Sequence, residues 1–403
     1  MANQGAKGSP AREITLVSAQ SPRYYPHVAR HLGSLQKAFP RVRLLYWEKD
    51  PNEPMYAFPG VEAERVVLPF GAGGPRFFLK LMFAFWRRLG KMRPEHIEAI
   101  DPYALVPARA YALLARPGGR PPRIVYFSME YFAEMPSLRG KPWKRSVWLF
   151  LERWGAAGAA SAATVCDSIA ERLSAGFGLP VATVRNVPSR SASPGSGAGP
   201  APDDSHSNLD VTSHPGLHAR CGVAPEIPLL IYQGALQEGR GLEAAIRALG
   251  LVPGLHLAIV GGGGLRPALE ALARESGCGN RVHFLGEVDF RELVPLTREA
   301  VAGLALIEPL SASYRFALPG KLFEYIQTGV PVIATALPEM RKIIDGYGVG
   351  VCLDDYGPIP LAAVLRRLAE DPAWRAGFAA NLERAAADLC WEAEEARYLA
   401  LFP

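Results

Sequence analysis

The chain has 403 residues, 49% hydrophobic and 21% charged, with a formal net charge of +5. That length exceeds one ordinary core and sets two domains as the starting expectation, while the composition is that of a soluble globular protein. The charge excess suits an anionic small substrate or an acidic membrane surface and is too small to point to nucleic acid.

The five cysteines are scattered, odd in number and lack a Cys-x-x-Cys pair, which fits a reducing compartment and no zinc site. Residues 1–12 read as a loose tail without the apolar core of a signal peptide. The most apolar window, residues 77–86, is broken by Lys80 and too short to span a bilayer. A cytoplasmic location is therefore expected.

Ile14 to Val17 is a short β-branched apolar run, a buried strand ending at Ser18. A helix with Ala29, Leu32, Leu35 and Ala38 on one face follows, then strands at 42–47 and 64–68. Residues 77–92 read as a helix apolar on most faces. A strand at 97–100 ends at Asp101, and a helix covers 105–114. A strand at 124–126 runs out to Glu130. A helix over 146–157, a strand at 163–166, a helix to Ala175 and a strand at 181–184 complete this half. Alternation of this kind implies a parallel, doubly wound sheet.

Residues 189–216 are mostly Ser, Gly, Pro, Ala and Asp with almost nothing to bury, the composition of a flexible linker. Its histidines, His206 and His214, lack the partner pattern of a metal site. The alternation then restarts. A strand at Leu229 to Tyr232 feeds the loop Gly234 to Gly241, and a strand at 257–260 enters four glycines, 261–264. A strand at 282–284 ends at Gly286, and one at 303–307 ends at Glu308. Pro319 and Gly320 open a short helix that Gly329 ends, and Val330 to Ala334 is a buried strand. A strand at 350–353 and further helices follow. The segments are thus 1–188, the linker 189–216, a second domain 217–385 and a terminal helix within 386–403.

In open parallel sheets, ligands bind beyond the carboxyl ends of the strands. That rule selects Ser18, Asp101 and Glu130 in the first half. In the second it selects Gly234 to Gly241, residues 261–264, Gly286, Glu308 and Pro319 to Glu324. A turn with Gly320 at a helix start exposes backbone N–H groups and the positive end of a helix dipole; Lys321 adds a full charge, and Glu324 lies on about the same face. A phosphate with a ribose would satisfy all three, and an ordinary helix start with two solvated side chains accounts for the same residues. Arg240, flanked by glycines, can meet a diphosphate bidentately or be a surface residue on a turn. The four-glycine run lacks dinucleotide-binding spacing, and tight turning alone can explain it. No Asp-x-Asp stands where a metal–diphosphate site would need it, so neither metal nor cofactor is expected.

At this point the residues resemble a family, the retaining glycosyltransferases of GT-B fold, family 4 (group 1 glycosyltransferases). The similarity rests on Tyr232-Gln233-Gly234 with Gly239-Arg240-Gly241-Leu242-Glu243, on 257–264, on 281–286, and above all on Pro319 to Tyr325 with Gly329 to Ala334. Cys390-Trp391-Glu392 is similar to the family's closing helix, which packs back on the first domain. The first half is similar more weakly, at Asp101, 124–130, Glu152-Arg153 and 184–188.

The resemblance implies two doubly wound Rossmann-like domains facing an inter-domain cleft. It implies a nucleotide-sugar donor on the second domain, a hydroxyl acceptor on the first, and transfer with retention in glycoconjugate, polysaccharide or natural-product biosynthesis. Glu324 would bind the ribose hydroxyls. Arg240 and Lys321, with Gly234 and the N–H groups near Gly320 to Leu322, would hold the diphosphate, and the base would lie near Gly286. Ser18, Asp101 and Glu130 would meet the acceptor, with Glu130, Arg240 and Lys321 as the catalytic set. A UDP-sugar is favoured over a GDP-sugar.

There are departures. Phe316 stands eight positions before Glu324, where many members carry a glutamate that binds the donor sugar. Ala235 stands where many have an arginine, Met129 where a histidine is frequent, and no Gly-Gly follows Ser18. Tyr314 and Arg315 are the expected substitutes in sugar recognition. Two rivals stay open. One is a GT-B nucleotide-sugar epimerase, for which the histidines are poorly placed in the sequence. The other is a GT-B-like binding subunit without turnover. The basic, aromatic stretches 77–93 and 141–154 suit either core helices with snorkelling cations or peripheral contact with the anionic inner face of a membrane.

Overall fold

A computed structural model describes residues 12–69, 74–114, 120–190 and 215–402. The first half runs β1 (Glu13–Ser18), α1 (Pro26–Ala38), β2 (Arg41–Glu48), β3 (Val61–Val67), α2 (Pro75–Met92), β4 (His96–Ile100) and α3 (Asp101–Leu114). It continues with β5 (Arg123–Ser128), α4 (Pro142–Ala156), β6 (Ala159–Thr164), α5 (Asp167–Phe177) and β7 (Val181–Thr183). The second opens with α6 (Leu217–Cys221), β8 (Leu229–Gln233), α7 (Leu242–Gly250), β9 (His256–Val260), α8 (Arg266–Glu275), β10 (Val282–Gly286), α9 (Phe290–Arg298) and β11 (Ala302–Ala305). Then come α10 (Ala312–Arg315), α11 (Gly320–Gln327), β12 (Val332–Thr335), α12 (Pro338–Tyr347) and β13 (Gly350–Leu353). Helices α13 (Pro358–Glu370), α14 (Pro372–Ala376), α15 (Ala379–Asp388) and α16 (Trp391–Leu399) close the chain.

Each half folds into its own parallel sheet, ordered β3-β2-β1-β4-β5-β6-β7 and β10-β9-β8-β11-β12-β13. Central strands such as β4 and β8 are buried along their whole length, as helices on both faces require. Register aligns the exits. Ser18 is level with Ile100, and Ile100 with Phe127, so Ser18, Asp101 and Glu130 emerge along one edge. Gln233 is level with Val260, which brings Gly234 and Gly261 together.

The strand order places β1 and β8 at the point where each sheet reverses, the position at which such folds bind ligands. One apolar core runs through the first domain and on into the face of the second around β8, α11 and α12; a second core fills the far side under α7, α8 and α13.

The last helix crosses back. On α16 the Trp391 ring stacks on His31 of α1 with centroids 5.3 Å apart, and its Nε1 donates to Ser34 Oγ at 2.9 Å. Ser34 Oγ donates to Glu395 (2.6 Å), and Tyr398 OH donates to Glu98 Oε2 (2.7 Å), whose other oxygen meets His31 Nδ1 at 2.7 Å. Residues 191–214, including His206 and His214, lie outside the described residues.

The structure corrects several sequence expectations. Helix α2 buries one apolar stripe, Phe77, Leu81, Phe85 and Leu89, one residue per turn, and leaves the apolar Leu79 and Phe83 of its other faces exposed. Strand β6 covers Ala159–Thr164 rather than 163–166, because its alanines carry little strand preference and the ladder to β5 sets the register. Strand β11 stops at Ala305, since Ile307 N–H turns back to Ala305 O and Glu308 N–H reaches Gly239 O. Helix α3 starts at Asp101 itself, in a left-handed conformation with φ of 62°. Among the described residues no helix is long and apolar enough to cross a membrane, and no group of three or more His, Cys, Asp or Glu could hold a metal.

Candidate active site

The first-domain wall is built from three strand exits. Beyond β1, Ser18 Oγ accepts from Gln20 N–H (3.1 Å) and donates to Gln20 O (3.2 Å), which turns the chain toward α1. Helix α1 opens with Pro26, whose missing N–H costs nothing at that position, and carries His27 buried in its first turn. Beyond β5, Ser128 Oγ donates to Glu130 O (2.8 Å), while Met129 N–H donates to Asp101 Oδ1 (2.9 Å). Glu130 is thus presented by a loop pinned on both sides. A non-glycine residue with positive φ is strained and persists where its surroundings hold it; here the Met129 bond holds Asp101. Burial pushes the Asp101 carboxyl up to about 7.

The second-domain wall comes from the exits of β8 and β11. At Gly241, with φ of 67°, a Cβ would stand 2.3 Å from Leu306 O, so only glycine lets this loop lie on the exit of β11. Arg240 therefore rises beside α10, its guanidinium 4.8 Å from the Tyr314 ring centroid. With the Gln237 amide oxygen turned toward Arg240, it accepts from Nε (3.2 Å) and NH2 (2.5 Å) of Arg240 and from Tyr314 OH (3.1 Å). Lys321 Nζ lies 3.8 Å from the Tyr232 ring centroid, and a side chain at Gly234 would meet that Nζ at 3.2 Å. Arg240 and Lys321 make no ion pair with a carboxylate among the described residues.

Burial perturbs Lys321, Glu130 and Glu324. Desolvation, then the neighbouring Arg240, lowers Lys321 well below its ordinary value. Desolvation raises Glu130 against the pull of Arg240, and raises Glu324 against the pull of Arg30 and Lys321. Both walls meet in one cavity. Gln20, Tyr25, His27 and Glu130 line one side; Arg240, Tyr314, Pro319 and Gly320 line the other. Asn186, which accepts from Arg30 (2.7 Å), lines it at the crossover between domains.

Of the residues selected from sequence, Glu130, Arg240, Tyr314 and Gly320 line this cavity, with Lys321, Glu324 and Gly234 directly behind its second wall. Ser18 and Asp101 do not line it: both are buried and shape the loops carrying Gln20 and Glu130. Arg315 is exposed beside the site, and Leu322 is a core residue whose N–H is already taken by Pro319 O (3.1 Å). Gly286 ends β10 at the sheet edge and accepts from Gly261 N–H (2.7 Å).

Packing explains Gly261 and Gly263 of the four-glycine run. A Cβ at Gly261 would lie 2.0 Å from Gly234 O, and one at Gly263 2.3 Å from Leu236 O. Phe316 faces the domain boundary, with Arg172 at 3.7 Å over its ring and Cys166 Sγ bonded to its carbonyl (3.3 Å).

The sequence reading missed Gln20, Tyr25, Asn186 and His27. It also judged the histidines poorly placed, and here the structure corrects it: His27 stands in the cleft wall with Glu130. The signal available was the Pro26-His27 helix start directly beyond β1.

A family model described as glycosyl transferase 4-like domain matches residues 24–189, and one described as glycosyl transferases group 1 matches residues 227–371. Curated relatives include a D-inositol 3-phosphate glycosyltransferase of Xylanimonas cellulosilytica, 29% identical over 198 residues, 48% of this chain and 46% of the relative. One of Thermomonospora curvata is 31% identical over 196 residues, 45% of this chain and 44% of the relative. The chain spans about half the length of these curated relatives.

Sucrose-phosphate synthase of Thermosynechococcus elongatus superposes with a TM-score of 0.73 at 18% identity, covering 97% of this chain and 98% of that one. Anabaena HepE, solved with UDP and glucose, superposes with a TM-score of 0.66 at 16% identity, covering 96% and 98%. At such identities the likeness is one of fold. Two Rossmann-like domains closing on a cleft with cations on one wall and a carboxyl on the other define the GT-B architecture. The chain belongs to the group 1 glycosyltransferases, with a glycosyl transferase 4-like first domain.

Proposed function

We propose that the protein moves a hexose-type sugar from a nucleoside diphosphate, UDP rather than GDP, to an acceptor hydroxyl, with retention of configuration and without a metal. The observation that carries this is the pair Arg240 and Lys321, neither in an ion pair with a carboxylate among the described residues and Lys321 desolvated, on the wall facing Glu130. Buried charges are stable only when compensated, so the site is built for a polyanion. A diphosphate gains negative charge as the sugar leaves, and fixed cations stabilise that charge more in the transition state than before it. Glu324, behind Gly320, is the acceptor for ribose hydroxyls, and Glu130 meets the acceptor hydroxyl.

The test is incubation with UDP- and GDP-sugars. Release of the nucleoside diphosphate supports transfer, and binding without turnover sinks the enzymatic reading. His27 beside Glu130 favours a second reading, epimerisation of the donor, and an epimerised sugar in the products would establish it instead.

We also propose that the acceptor is met at an anionic membrane. Packed side by side, α2, α3 and α4 expose Leu79, Phe83, Leu113, Leu114, Trp143 and Phe150. Around them are Arg76, Lys80, Arg87, Lys91 and Lys141, whereas the only acids of these helices, Asp101 and Glu152, are buried. An apolar face ringed by cations is complementary to acidic headgroups. The protein is expected to co-sediment with phosphatidylglycerol vesicles and to lose that binding in Phe83→Asp/Phe150→Asp; failure of the wild type to sediment removes the proposal.

A further inference from the structure

Two buried polar atoms belonging to the cavity wall have no hydrogen-bond partner in the protein: Gln20 Oε1 and His27 Nε2. Buried polar groups are nearly always paired, so two such orphans on residues of one cavity wall call for a ligand. Their chemistry says which part of a ligand. Desolvation of the buried ring, then His31 and Arg30, opposes a positive charge on His27, so it presents a neutral imidazole. Beside it stand an amide and the Glu130 carboxyl. The side chains of that wall include no cation for a phosphate; Arg240 and Lys321 lie opposite. A hydroxyl both donates and accepts, so it satisfies Nε2 in either tautomer; where Nε2–H is the donor, the hydroxyl accepts from it and its own proton is free for Gln20 Oε1.

Among the described residues that line this cavity from the second domain none is a carboxylate, and Phe316 is turned to the domain boundary under Arg172. The imidazole is also held firmly. Its ring packs edge-on to His31 at 5.9 Å, and His31 is fixed by Glu98 and by the Trp391 ring. A rigid, pre-oriented polar group is what selection between sugar epimers needs.

We propose that Gln20 and His27 form the subsite that recognises hydroxyls of the transferred sugar, replacing from the first domain what Phe316 cannot supply from the second. This rests on the nucleotide-sugar reading above. The experiment is titration calorimetry of the full chain with UDP, UDP-glucose and UDP-galactose, for wild type, His27→Phe, His27→Gln and Gln20→Leu.

The expected result is that His27→Phe and Gln20→Leu each weaken the preferred UDP-hexose by about tenfold, as loss of one buried hydrogen bond does. UDP binding stays at wild-type strength, and His27→Gln recovers part of the loss. Unchanged UDP affinity also reports an intact fold, and Gln20→Leu, on a loop, serves if the helix variants fail to fold. Unchanged UDP-hexose affinity in the folded variants, or equal losses for UDP and UDP-hexose, overturns the subsite while leaving the donor reading intact. A wild type that binds none of the three ligands overturns the donor reading and the subsite with it.

Discussion

Arg240→Ala is expected to lower turnover of a UDP-sugar roughly 10²–10³-fold, the usual effect of removing one preorganised donor from a developing anion. Gln237 and Tyr314 already hold the guanidinium in place, so little reorganisation accompanies catalysis. The loss falls mainly on kcat, because the extra charge on the diphosphate exists only as the sugar departs. Arg240→Lys keeps the charge but lacks the planar fork and recovers only part of the rate. Glu324→Ala differs in kind. Its carboxylate addresses the nucleoside, whose contacts do not change during transfer, so affinity for UDP falls at least about tenfold while kcat moves less. Steady-state rates of UDP release, paired with UDP titrations, separate the two. Wild-type rates in both variants would falsify the site.

Trp391→Ala is expected to cost about 3–5 kcal/mol of unfolding free energy, the range for removing a buried aromatic side chain. Trp391 is 5% exposed, its ring lies on His31, and its N–H is the donor to Ser34 Oγ. Truncation opens a cavity between α1 and α16 and unseats His31, against which His27 packs. Stability and sugar recognition should therefore fall together. Trp391→Phe restores most of the packing but not the N–H, and should cost about 1 kcal/mol more than wild type. Urea unfolding followed by circular dichroism measures both. A loss below about 1 kcal/mol in Trp391→Ala would mean that α16 does not fasten the domains.

Much of the architecture was legible in the residue order because it depends on short-range periodicity. Runs such as Leu229 to Tyr232 are buried on both faces and can be little else than central parallel strands. Turn glycines and helix starts mark the exits, so Arg240, Gly320 and Glu130 could be named as site residues from strand-end position alone. Helix α2 is apolar on most faces in the sequence, and a count of apolar residues does not say which face has a neighbour. The four-glycine run was ambiguous for the same reason: its cause is a second loop, Gly234 to Leu236, distant in sequence.

By itself, then, the sequence determined two doubly wound halves, their strand exits and the cationic loops at those exits, because each is written in consecutive residues. Tertiary structure alone decided which residues face those cations. Gln20 and His27 reach the cavity, Phe316 leaves it, and Asp101 holds a loop instead of lining the site. No local pattern encodes those outcomes. They follow from how two sheets pack across one boundary and from α16 locking α1, and with it His27, against the first domain.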